Sequence, residues 1–195
     1  RGVGKDIHTD AADVEVTDPN TMYQFLRGGV RVMDDVQVNT EKESYVSWQW
    51  YFESTGSGSS NTDGSINTTS TLVDTNIGIS ISKYSGTGSA ATVGHGLGVA
   101  PEFIMIKNID QNDHWLNYHS AVGNTKAFFL SLNNAVDDNS VYFNDTSPTS
   151  TVFSIGSGDQ GNSSGEAFVA YCFAPSQFNA IGFYQGNGNA DGTFV

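Results

Sequence analysis

Four histidines, one cysteine and 21 acidic residues are the groups in this sequence that could do chemistry, and their spacing limits what that chemistry can be. His114 and His119 are five apart, which on a strand places them on opposite faces and denies them a shared metal as neighbours. His95 lies in Gly94-His95-Gly96, a turn. Cys172 falls on the small face of an apolar strand, the setting of a buried inert thiol rather than a nucleophile. No Gly-x-Ser-x-Gly nucleophile elbow is read in the sequence. No two acids are placed as the facing carboxylate pair that glycoside hydrolysis needs. The sequence is therefore read as that of a protein without catalytic residues or cofactor.

Two binding chemistries remain. Asn187-Gly188-Asn189-Ala190-Asp191-Gly192 has the alternating oxygen donors of the first half of a calcium loop. The same residue types make tight hairpin turns, so the run is read first as a turn and second as a weak Ca2+ site on Asn187, Asn189 and Asp191. Trp115 and Tyr118 are aromatic residues that, if exposed, would stack on sugar rings. Asp34-Asp35 and Asp137-Asp138 read as solvated tips.

The elements that must carry these residues are strands. Gly 22, only 15% charged residues, and Ser, Thr and Asn interleaved with Val, Ile, Phe and Tyr describe a chain with frequent turns and β-compatible segments. No window longer than about three turns holds an amphipathic helical pattern, and the partial match at Thr21 to Leu26 sits among turn formers. A net charge of −13 repels phosphate backbones and anionic lipid, which argues against nucleic-acid partners. No apolar run reaches the length of a membrane span, so no membrane partner is expected.

Comparison of the chain with itself finds two matches, the signature of modules rather than one irregular domain. Tyr84-Ser-Gly86-Thr-Gly88-Ser-Ala90 aligns with Tyr184-Gln-Gly186-Asn-Gly188-Asn-Ala190, a shift of 100. Glu43-Ser-Tyr45-Val46-Ser-Trp48-Gln-Trp50 aligns with Glu166-Ala-Phe168-Val169-Ala-Tyr171-Cys172-Phe173, a shift of 123 that also carries Asn39 onto Asn162 and Val30-Arg31-Val32 onto Phe153-Ser154-Ile155. The resulting division is the C-terminal part of a first β module at 1–53, a Gly/Ser/Thr/Asn surface linker at 54–76, a complete module at 77–175, and the first strand of a third at 178–195. The chain is expected to continue in both directions.

Glu43 to Phe52 alternates, with Val46, Trp48, Trp50 and Phe52 on one face and Tyr45, Ser47 and Gln49 on the other. Its copy keeps a bulky and a small face, and both are read as central strands of a two-layered core. Phe103-Ile104-Met105-Ile106-Lys107 reads as a strand buried on both faces that emerges at its lysine. Further strands are expected at Trp115 to His119, Ala127 to Leu132, Val141 to Phe143 and Thr151 to Ile155. The fold class is all-β: antiparallel β-sandwich, jelly-roll-like modules in tandem.

His95-Gly96-Leu97-Gly98-Val99-Ala100-Pro101 leading into Phe103 to Lys107, Thr146-Ser147-Pro148-Thr149-Ser150-Thr151-Val152-Phe153, and Phe168-Val169-Ala170-Tyr171-Cys172-Phe173-Ala174 resemble a largely uncharacterised tandem-repeat β domain of tail-fibre-like and virion-surface proteins in tailed phages of marine bacteria. The resemblance implies a virion structural protein on the particle surface, a tail fibre or other appendage that contributes to host attachment. Its expected partners are copies of itself, as a homotrimer, other virion proteins and a host surface glycan. A lectin-like carbohydrate-binding module of a cell-surface or secreted protein is the alternative.

Overall fold

The computed structural model describes residues 2–52 and 58–192. The chain opens with two small antiparallel sheets, β1 (Lys5–Asp6) with β2 (Val16–Thr17) and the hairpin of β3 (Met22–Leu26) with β4 (Gly29–Val32), followed by the one-turn helix α1 (Val36–Asn39). The partial helical pattern at Thr21 to Leu26 is thus a strand. Gly28, at φ +86°, makes the tight reversal between β3 and β4 that a residue with a Cβ resists. Asp35 caps α1 by accepting the Gln37 N–H at 2.7 Å.

A seven-stranded antiparallel sheet follows. It is built from β5 (Ser70–Asp74), β6 (Ile79–Ser85), β8 (Phe103–Asn108), β9 (Leu116–His119), β10 (Lys126–Phe129), β11 (Asp137–Asp138) and β13 (Ala167–Phe173), in the order β11-β10-β9-β8-β13-β6-β5. A second layer pairs β7 (Ala91–Gly94) with β12 (Val152–Ile155). The last strand is central: β13 fills the gap between β6 and β8 and pairs with both, Ala167 opposite Ser85 through Phe173 opposite Ile79 on one side. Strands so distant in sequence make this a non-local pairing.

The core lies between the two layers. Ile104, Ile106, Leu116, Phe168, Ala170 and Cys172 of the large sheet meet Val93, Phe153 and Ile155 of the small one. Tyr84 stacks on Phe168 with ring centroids 5.4 Å apart, and its hydroxyl donates to Gly161 O at 2.7 Å, so its polar end is satisfied inside.

Several expectations change here. Val141 to Phe143 is not a strand: Ser140–Phe143 forms the helical turn α2, capped where Asn139 Oδ1 accepts the Val141 N–H and closed by left-handed Asn144. Residues 58–74 do not behave as a surface linker, because Ile66 and Thr68 are buried and β5 is a full edge strand. There the polar composition forms a buried relay of hydroxyls, Thr68 Oγ1 to Thr71 Oγ1 at 2.8 Å, Thr71 Oγ1 to Ser82 Oγ at 3.1 Å, and Ser82 Oγ to Gly94 O at 3.0 Å. Residues 53–57, the last residue of the expected first module and the start of the expected linker, and 193–195, the end of the expected third-module strand, lie outside the described residues. Residues 43–52 and the described part of the 178–195 segment carry no strand.

The 123-residue shift nonetheless appears in the elements themselves. β4 and α1 fall 123 positions before β12 and the helical turn α3 (Asp159–Asn162), residue for residue. The next element at that shift is β13, whose counterpart is residues 44–50.

Candidate functional site

The expected chemical groups are dispersed. His95 is fully buried, with Nδ1 accepting the Leu97 N–H at 3.2 Å and Nε2 at 3.2 Å from Thr149 O. That pair of contacts requires the neutral ring protonated at Nε2, and burial accordingly pushes its pKa down, partly opposed by the Thr149 carbonyl and Asp63. His114 contacts Ser131 Oγ at 2.7 Å, and His119 sits on β9 beside Phe103. Cys172 is buried, and that burial pushes its thiol up to about 12 against a smaller opposing influence of the neighbouring Ser80 hydroxyl. The thiolate a nucleophile requires is suppressed.

One stretch does have Gly-x-Ser-x-Gly spacing, Gly161-Asn162-Ser163-Ser164-Gly165, which corrects the reading that no such run occurs. It leads from a helical turn into a strand, the reverse of a nucleophile elbow, and Ser163 Oγ donates to Asp159 O at 3.2 Å. Asn162 is the structural residue of the run. It is fully buried, accepts from Thr87 N at 2.7 Å, and donates to Ser89 O at 2.6 Å and Gly156 O at 2.7 Å.

The two expected binding sets are also placed differently. Trp115 and Tyr118 are 3% and 4% exposed, so neither ring offers a sugar a face. Tyr118 packs edge-on to Phe143 in the core. Trp115 is roofed by the N-terminal segment, its indole N–H donating to His8 O at 2.6 Å. Asn187 turns its side chain inward on its own loop, accepting from Asn189 N at 3.0 Å and donating to Asp191 O at 3.1 Å. It forms the turn that the sequence offered first. Of the acidic tips, Asp137 accepts from the Tyr142 hydroxyl at 2.7 Å.

The N-terminal segment explains a further difference. Lys107 does not emerge at the end of β8; it is fully buried, and Nζ donates to Asn108 O at 2.8 Å and Ala12 O at 3.2 Å. Val14 N donates to Asn112 Oδ1 at 2.9 Å. Residues 8–14 thus form a strap over one end of the sheet's outer face. Burial lowers the Lys107 pKa and raises that of Asp113, each opposed by its attraction to the other.

Beyond the strap the outer face is half-buried, as at Leu72, Ile81, Met105 and Tyr171. Leu72 and Ile81, paired across β5 and β6, floor a groove of about 840 Å3 walled by Phe25, Leu26, Trp48 and Trp50. Trp48 and Val46 are 80% and 81% exposed, a concentration of apolar surface. Phe178, Phe183 and Tyr184 form a second such group. Sequence alternation had marked both segments as strands, but nothing in it signalled that they would be bare. A smaller hollow of about 410 Å3 gathers His114, Phe129, Asn134, Asp137, Tyr142 and Gln160.

Among the described residues, no group of three or more His, Cys, Asp or Glu side chains is arranged to hold a metal ion. No helix is long and apolar enough to cross a membrane. The family model described as a domain of unknown function (DUF7483) matches residues 1–195. No curated protein and no solved structure matches the chain.

Proposed function

The chain belongs to that family, whose description assigns no activity, and from this premise we propose that it is a structural module of a virion surface appendage, such as a phage tail fibre. In this reading, β-sandwich modules repeat in tandem and contribute to host attachment through what they display. The observation that carries it is the recurrence of β4 and α1 at β12 and α3, since a unit that repeats and leaves apolar surface at its margins is stabilised by stacking on its neighbours. The resemblance to virion-surface repeats supplies the location. Self-association, with a homotrimer as the arrangement natural to a fibre, and contact with other virion proteins follow from the same reading. An antibody raised against the chain, applied to purified particles, labels an appendage; particles that contain none of the protein overturn the assignment.

A carbohydrate-binding function is the second reading, and the hollow beside β10 favours it. There Phe129 and Tyr142 meet edge to face at 5.6 Å beside Asp137, Asn134 and Gln160, which combines ring faces with hydrogen-bonding side chains in one concavity. Glycan-array binding that is lost in Tyr142→Ala and Asp137→Asn supports it, and an array without signal removes it.

A further inference from the structure

The hollow beside β10 brings three rings together. Phe129 ends β10, Tyr142 comes from α2, and His114 precedes β9. Phe129 meets Tyr142 at 5.6 Å with planes 79° apart, and His114 at 6.2 Å with planes 66° apart. In a corner between rings set so nearly at right angles, one point lies within about 6 Å of two centroids, the reach of a cation–π contact. Leu132, Val136 and the Asp137 carboxylate line the same hollow. We propose that this hollow is a binding site for a quaternary alkylammonium group such as that of choline, held on the rings of His114, Phe129 and Tyr142 with Asp137 as its counter-charge. A cation of this kind is a different ligand class from a sugar, and its binding requires neither the carbohydrate reading nor the virion assignment.

A quaternary ammonium carries a positive charge yet is apolar at its surface, and the lining matches both properties. Its methyl groups need no hydrogen-bond acceptors, and Leu132 and Val136 cover those that the rings leave open. A primary ammonium, by contrast, is strongly hydrated and has to exchange that water for acceptors. None of the described residues that line the hollow is Lys or Arg. The net charge of −13 also draws cations towards the surface.

The fold fixes each of these groups separately. The register that sets Phe129 opposite Leu116 runs on past the strand ends to bring Ser131 beside His114, where the 2.7 Å contact of Ser131 Oγ with Nδ1 orients the imidazole. β10 and β11 pair with Ala127 opposite Asp137, which sets the carboxylate within reach of the Tyr142 hydroxyl, a donor to Oδ2 at 2.7 Å. That bond polarises the phenol towards the carboxylate and enriches the ring face that a cation touches. Burial, reinforced by the same bond, pushes the phenol up to about 12, so the hydroxyl keeps its proton and its donor role. Phe129 and Tyr142 also pack against the core. Their rings are therefore in place before a ligand arrives, which lowers the entropic cost of binding.

The test follows the methyl protons of choline by NMR as the full chain is titrated, at constant ionic strength and at about pH 8, where imidazoles are ordinarily neutral. Saturable binding is expected, with the methyl signal moving upfield because protons in the corner sit over ring faces. The neutral isostere of choline, an alcohol with a tert-butyl group in place of trimethylammonium, has the same shape without the charge and should bind at least about threefold more weakly. Asp137→Asn, at an exposed position, keeps an acceptor for the Tyr142 hydroxyl; it should weaken choline and leave the isostere unchanged. Tyr142→Leu should weaken choline roughly three- to thirtyfold, the worth of one cation–π contact. Phosphocholine should bind more weakly than choline, since its phosphate meets Asp137 and the negative field of the chain. No saturation by about 10 mM choline, equal affinity for choline and its isostere, undiminished binding by the Asp137→Asn chain, or tighter binding of phosphocholine overturns the proposal. The carbohydrate reading fails separately, on an array of neutral glycans.

Discussion

Residues 167–173 and residues 44–50 have nearly the same pattern of bulky and small side chains and opposite fates. The first segment is flanked by β6 and β8, with Phe168, Ala170 and Cys172 fully buried. Among the described residues the second has no paired strand, and every residue from 41 to 50 is exposed. Alternation therefore writes which side chains share a face, while the presence of partner strands decides whether a strand exists. A single unpaired strand gains no ladder hydrogen bonds and buries too little surface to offset the ordering of its backbone.

The sharpest way to break that comparison is to truncate equivalent positions and measure denaturant unfolding at a concentration where the chain is dispersed. Phe168→Ala empties a fully buried site stacked on Tyr84 and should cost about 3–5 kcal/mol. Tyr45→Ala, at the matching position, should cost less than about 1 kcal/mol. Equal losses would mean that residues 44–50 are already packed in the lone chain.

The second pair is Asn162→Ala and Asn39→Ala. Asn162 holds three backbone groups from two loops inside the module, and leaving them without partners should cost about 1–3 kcal/mol. Asn39 bonds Met33 O at an exposed site, and its removal should stay within about 0.5 kcal/mol. An Asn39 variant as damaging as the Asn162 variant would place the first region on the same footing as the second.

The same contrast shows what was legible beforehand. The strands at Phe103 to Lys107, Trp115 to His119 and Thr151 to Ile155 were readable because their apolar runs are bounded by Gly, Asn and Pro and pair within the chain. The burial of Lys107 was not, because the strap that covers it makes backbone contacts, Ala12 O and His8 O, for which residues 8–14 carry no periodic signal. The fold of 58–74 was hidden for a different reason. Its serines and threonines hydrogen-bond one another inside the protein, while composition rules assume that they face water. Trp115 and Tyr118 failed as a sugar platform because an amphipathic ring suits a covered site and an open one equally.

A third measurement addresses the strap, where the N-terminal region and the seven-stranded sheet touch. Trp115→Phe keeps an aromatic ring but loses the 2.6 Å indole N–H bond to His8 O and part of the buried indole's volume, which should cost about 1–3 kcal/mol and speed protease cleavage within residues 8–14. Unchanged cleavage would show that the strap is held by its other contacts, those of Lys107 and Asn112.

The smallest expected effect is a pH response that belongs to His95, beside the β7–β12 pair. His95 lies where β7 leaves the second layer, and its two bonds fix a neutral ring, because a proton on Nδ1 would expel the Leu97 N–H. Its folded pKa lies below the ordinary 6.5 because of burial, so as pH falls through that value the unfolded chain takes up a proton that the folded chain refuses. The contribution to stability is complete above about pH 6.5 and is lost as pH falls through the lowered folded value. His95→Gln has nothing to titrate there and should flatten this part of the profile when unfolding midpoints are compared between about pH 8 and pH 5. Identical slopes for the two proteins would sink the assignment. A flattened slope accompanied by unchanged exposure of Trp48 and Trp50 would locate the acid-sensitive seam between β7 and β12, away from the bare segments.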